Sequence, residues 1–136
     1  MATILLVEDE PDLGLYEAGL LEDLGHRVLR CGGSPAPLAA CPMMRGDPCP
    51  LPEAADLIIF ACGLIAPVRH RVYRGAQLLR AYRSHAWYGR IPMLIVAMGA
   101  PDSVEGEGPV ERVERFSDPG VIVAAATRLL GASLSA

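Results

Sequence analysis

Three consecutive acids, Glu8, Asp9 and Glu10, close an apolar run that begins at Thr3. Carboxylates at the end of a buried strand can serve as general acid or base, but that chemistry needs a companion group. None is found: the chain has no glycine-rich phosphate loop and no Gly-x-Ser-x-Gly elbow. The cysteines, Cys31, Cys41, Cys49 and Cys62, and the histidines, His26, His70 and His85, lack the paired spacing of a zinc site. They read as buried or loop residues in a reducing compartment, with a Cys41–Cys49 disulfide conceivable but expected to be absent. Cys62 as a redox sensor is a further reading, with a small buried residue preferred. All twelve basic residues are Arg, so a mechanism that requires a lysine amine is excluded. An enzyme is the weakest functional class for this chain.

At 136 residues, 51% of them apolar, the chain fits one domain over 1–136 with a single core, and no output domain is expected after it. The net charge of −4 comes with only scattered arginines, such as Arg69, Arg71, Arg74, Arg80 and Arg83. Direct nucleic-acid binding therefore lacks its electrostatic footprint, and a mildly acidic surface suits protein partners. The apolar stretch Leu57 to Val68 contains Gly63 and Pro67 and is shorter than the roughly 20 residues of a membrane helix. The amino terminus has neither the basic start nor the cleavage site of a signal peptide. The expectation is a soluble cytoplasmic protein that is not membrane-bound.

Buried strands are expected at Thr3–Val7 and Asp56–Ala61, with a short strand at His26–Arg30 and a fourth at Ile91–Ala97. Pro11 opens a helix that runs to Gly25, with Leu13, Tyr16, Leu20, Leu21 and Leu24 at helical spacing. Six prolines between Cys31 and Pro52 allow about one helical turn there, around Pro37 to Met44. Gly75–Ser84 reads as an amphipathic helix, and Trp87 and Tyr88 as a cover over the end of the core. Gly99 to Pro109, with three glycines and two prolines, reads as a loop with little helix. Val110–Phe116 alternates apolar and charged residues, as an edge strand does. A last helix follows Pro119, with Val121, Val123, Ala124, Leu129 and Leu130 available to face the sheet, ending at Gly131. Alternating strands and helices imply a parallel sheet covered on both faces.

The run Ile4-Leu5-Leu6-Val7-Glu8-Asp9-Glu10-Pro11 resembles the opening of bacterial response-regulator receiver domains, in which a strand ends in two acids that hold magnesium. Asp56-Leu57-Ile58-Ile59-Phe60 resembles the family's third strand, Gly75 to Arg80 its following helix, Ile91 to Ala97 its fourth strand, and Phe116-Ser117-Asp118-Pro119 the end of its fifth. The resemblance covers nearly the whole chain. It implies a flavodoxin-like, doubly wound five-stranded parallel sheet of order 2-1-3-4-5, with helices on both faces and the second and fourth helices degenerate.

Laid on that pattern, the phosphoacceptor aspartate falls on Ala61, the phosphate-sensing hydroxyl on Val96 and the lysine on Asp118. Ala61 and Val96 can neither ligate a metal nor donate a hydrogen bond. The surviving acids Glu8 and Asp9 form a residual acidic pocket that would hold magnesium weakly or not at all, and a helix-capping role for them is preferred. Asp118 either points inward, adding a third acid to that pocket, or turns out and caps the last helix.

The implied function is that of an atypical, aspartate-less pseudo-receiver in two-component, phosphorelay-like signal transduction. It would act without aspartyl phosphorylation through contact with a protein partner or in a homodimer, by the face near the fifth strand and last helix. The alternative is a small-ligand sensor using a vacated pocket at Ala61 and Val96, with the Cys31 to Pro52 loop as its lid. No cofactor is expected.

Overall fold

The computed structural model describes residues 2–8, 11–31, 55–61, 79–85, 87–97, 108–114 and 118–135. The expectations for the segment between Cys31 and Pro52, for residues 75–78, for Cys62 and His70, for residues 98–107 and for 115–117 lie outside them. Among the described residues five strands form one parallel sheet: β1 (Thr3–Val7), β2 (Arg27–Cys31), β3 (Leu57–Phe60), β4 (Met93–Ala97) and β5 (Val110–Glu114). The order is β2-β1-β3-β4-β5, the flavodoxin-like arrangement expected from the sequence.

The central strands explain themselves. Ile4, Leu5, Leu6 and Val7 of β1 and all four residues of β3 are buried, because a strand with helices on both faces has no side to give to water. Alternate side chains go to opposite faces. Ile4, Leu6, Leu57, Ile59 and Leu94 pack under helices α1 (Pro11–Asp23) and α3 (Pro119–Ser135). Leu5, Val7, Ile58, Phe60, Met93 and Ile95 pack instead with Leu79, Tyr82 and Tyr88. Leu79 and Tyr82 lie on the helical residues 79–84, here α2. Strand β5 is at the sheet edge, with Arg112 and Glu114 exposed, as its charges suggested.

Two helices bury faces that only partly match those read in the sequence, with Leu21, Leu129 and Leu130 buried as expected. In α1 the buried stripe is Gly14, Glu17, Ala18 and Leu21, whereas Tyr16 is 53% and Leu24 54% exposed. Small residues let this helix approach the sheet closely, and that outweighs the burial of longer apolar side chains one position away. Gly25, at φ +89°, ends the helix region as expected. In α3 the buried set is Ile122, Ala125, Ala126, Leu129 and Leu130, while Val121 and Ala124 are exposed. That set has the i, i+3, i+4, i+7, i+8 spacing of one continuous stripe, which the expected set lacked. The helix also passes Gly131 and continues to Ser135.

The cover over the core is Tyr88 alone: it is 1% exposed, and Trp87 is 64% exposed. His85 decides the geometry. Its Nδ1 accepts the backbone N–H groups of Trp87 (3.1 Å) and Tyr88 (3.2 Å), and its ring stacks on Tyr88 at 3.8 Å.

Candidate functional site

Ligands of open parallel sheets bind beyond the carboxyl ends of the strands. In this sheet those ends present Glu8 after β1, Ala61 after β3 and the last residues of β4. The backbone ladder continues past the strands to hold the first two. The Glu8 N–H donates to the Cys31 carbonyl at 3.0 Å, and the Ala61 N–H donates to the Val7 carbonyl at 2.8 Å. Because Phe60 is level with Ile95, Ala61 is brought level with Val96.

Ala61 and Val96 do not line an opening. They are 0% and 1% exposed and belong to the apolar cluster under α1 and α3. A methyl and an isopropyl group occupy the positions where the resemblance would put a carboxylate and a hydroxyl. Among the described residues, a cavity of about 300 Å³ lies at the opposite, amino-terminal end of β3 and β4. It is lined by Ala55, Asp56, Trp87, Arg90, Ile91 and Pro92.

Glu8 is 5% exposed, so the first of the three acids is a buried group, not a surface charge. Asp9, the other acid of the residual pocket, is outside the described residues, as is Glu10. Beneath Glu8 lies Gly14 in the first turns of α1. A Cβ added there would stand 3.3 Å from Glu8 Cγ and 3.2 Å from Arg30 Nη2. A larger residue at this position would make the Glu8 stem or the exposed Arg30 guanidinium give by a few tenths of an ångström. Arg30 arrives from β2, on the same face as Val28, which packs against the α1 side of the core. The sequence reading missed both Gly14 and Arg30. A glycine inside a helical pattern was the available signal, since it weakens a helix unless something packs against it.

Asp118 takes the second of its two possible geometries. It is exposed, and its Oδ1 accepts the Gly120 N–H at 2.8 Å, while its carbonyl accepts the Val121 N–H at 2.8 Å. This is an N-cap on α3. Nearby, the exposed Arg128 of α3 donates to Glu111 of β5, with Nε at 3.2 Å and Nη2 on the same oxygen. That hydrogen bond pushes the Arg128 pKa up.

A magnesium ion needs near-octahedral oxygen ligands. Of the described residues at these strand ends, only Glu8 offers a carboxylate, Ala61 and Val96 offer carbon, and Asp118 is committed to its cap. No group of three or more potential ligands occurs among the described residues. The described residues at these strand ends therefore do not by themselves make up a magnesium site.

No family model matches the chain, and no curated protein matches it. Solved structures do. The signal receiver domain of a signal transduction histidine kinase from Syntrophus aciditrophicus superposes with a TM-score of 0.65 at 18% identity, covering 97% of this chain and 92% of that one. A sensor histidine kinase receiver domain from Pseudomonas aeruginosa PAO1, with magnesium coordinated in its active-site cleft, gives 0.63 at 20% identity, covering 96% and 98%. A response regulator from Chloroflexus aurantiacus gives 0.64 at 17% identity, covering 96% and 98%. The fold is that of a receiver domain. At these identities the likeness is one of architecture, and on this receiver fold Glu8 and Ala61 stand at the carboxyl-terminal edge of the sheet. No helix among the described residues is long and apolar enough to cross a membrane.

Proposed function

We propose that the chain is a pseudo-receiver: a signalling module that keeps the receiver scaffold, accepts no phosphate on aspartate and works by binding a protein. The burial of the Ala61 methyl group, immediately after β3 and beside Val96, carries this reading. A phosphoacceptor must present an oxygen to solvent and to a donor, and this position presents neither. The chain also contains no lysine to neutralise a phosphoryl group. Activity as an enzyme is not part of the proposal.

The output is a protein contact on the face of β5 and α3. That face exposes Arg112, Glu114, Val121, Ala124 and Thr127, a mixed surface of the kind that transient interfaces use. The partner is another protein or a second copy of the chain, in the cytoplasm, with no nucleic acid involved. A metabolite site at Ala61 and Val96 is disfavoured by the packing of both side chains into the core.

The test is exposure of the purified protein to acetyl phosphate with and without magnesium, read by intact mass. The expected outcome is an unchanged mass. A phosphoryl adduct on any aspartate overturns the proposal.

A further inference from the structure

We infer that His85 is a proton-sensitive latch: its neutral ring holds the turn after α2 against the segment that leads into β5, and protonation releases that turn. The bearing of the latch on output rests on the proposed face of β5 and α3, whereas the latch itself does not.

The backbone N–H groups of Trp87 and Tyr88 both donate to the Nδ1 of His85, at 3.1 and 3.2 Å. Only a neutral imidazole with its proton on Nε2 offers that acceptor, since the protonated ring is a donor at both nitrogens. A proton on Nδ1 would set one N–H against two others. The same ring lies flat on the buried Tyr88, with 3.8 Å between centroids, so a ring that turns away from the two amides also leaves the cover of the core.

The turn is joined to β5 through backbone. The Gly89 N–H donates to the His85 carbonyl at 2.8 Å, and the Gly89 carbonyl accepts the Gly108 N–H at 2.9 Å. A Cβ on Gly89 would run into the Arg83 carbonyl, and one on Gly108 into that of Arg90. Backbones packed this closely leave little slack between His85 and Val110, where β5 begins.

The charged and titratable groups described around the turn are the Tyr88 phenol under the ring, Arg83 and Arg90 on the same stretch, and Asp56, which shares the cavity wall with Trp87. Gly108 and Pro109 add none. These surroundings bring no excess of negative charge to stabilise an imidazolium, and the bonds to Trp87 and Tyr88 oppose it. The latch is therefore closed where the imidazole is neutral and opens as the solution becomes acid enough to protonate it.

The experiment follows the amides of Trp87, Tyr88, Gly89 and Gly108 by NMR in the labelled full chain between about pH 8 and about pH 5, the span in which histidine is the side chain that ordinarily titrates. Emission of Trp87, the single tryptophan, is read in parallel. The wild type should show one reversible transition with a common midpoint at all four amides and in the emission, while the Leu94 amide in the middle of the sheet stays in place. His85→Asn, which keeps an acceptor that does not titrate, should lose the transition, and His85→Gln takes its place if it fails to fold. His26→Gln should keep the transition, although His26 Nδ1 also accepts a backbone N–H, from Ala2 at 3.3 Å. A flat wild-type response overturns the inference. So does a transition that survives in His85→Asn, that is lost in His26→Gln, that leaves Gly108 in place or that Leu94 shares. A flat response beside an unchanged mass in acetyl phosphate removes the latch and leaves the pseudo-receiver reading standing. An adduct removes that reading, and the titration still decides the latch.

Discussion

The Asp118 carboxylate accepts the backbone N–H of Gly120 at 2.8 Å and so begins helix α3. The resemblance puts a lysine amine at this position, reaching into the strand-end pocket. Here a shorter side chain of opposite charge turns outward and satisfies one of the donors that every helix start leaves open. Asp118→Ala should destabilise the protein by about 0.5–2 kcal/mol, and Asp118→Asn by much less, because Asn also caps well. Urea denaturation of the three proteins measures this. Equal losses for Ala and Asn would mean that the charge, not the cap, is what matters.

Ala61→Asp restores a carboxylate where the resemblance puts the acceptor. It should not restore phosphorylation. Ala61 is fully buried beside Val96 in the cluster under α1 and α3, so the new group would be taken from water without a prepared partner. A cost of roughly 1–3 kcal/mol is expected from burying an unsatisfied polar group. The variant should melt lower and, treated with acetyl phosphate, keep its mass. A stable variant that takes up phosphate would show that only one residue separates this chain from an active receiver.

The strand order came only with the family resemblance, since alternating strands and helices give a parallel sheet but not its order; the buried central strands were legible because they depend on side-chain type along a strand. The helix faces were not. For the first helix the expected stripe Leu13, Tyr16, Leu20, Leu21 and Leu24 shares only Leu21 with the buried one, Gly14, Glu17, Ala18 and Leu21. Hydrophobicity ranks the first stripe higher, and close packing selects the second.

That competition is measurable in α1. Tyr16→Ser and Leu24→Ser alter exposed side chains and should each change stability by less than about 0.5 kcal/mol. Ala18→Leu, which adds apolar atoms at a position 1% exposed, should cost roughly 1–3 kcal/mol by overpacking. Thermal denaturation of the three variants distinguishes the faces. The reverse ranking, with the serine variants the more damaged, would put the helix in the orientation that hydrophobicity alone suggests.

Arg83 joins α2 to the segment before β5. It is 2% exposed, and its Nη2 donates to the Gly108 carbonyl at 2.9 Å. Burial pushes its pKa down, so the charge is held at some cost that its hydrogen bonds offset. Arg83→Met keeps most of the apolar stem and removes the donors. A hydrogen bond from a charged group contributes about 1.5–3 kcal/mol, and the variant should lose stability on that order. The loss should be accompanied by faster amide exchange at Val110 and Met93, because the Met93 N–H is bonded to the Pro109 carbonyl in the same connection. Destabilisation without faster exchange at those two amides would place the role of Arg83 within α2 and not in anchoring β5 to the sheet.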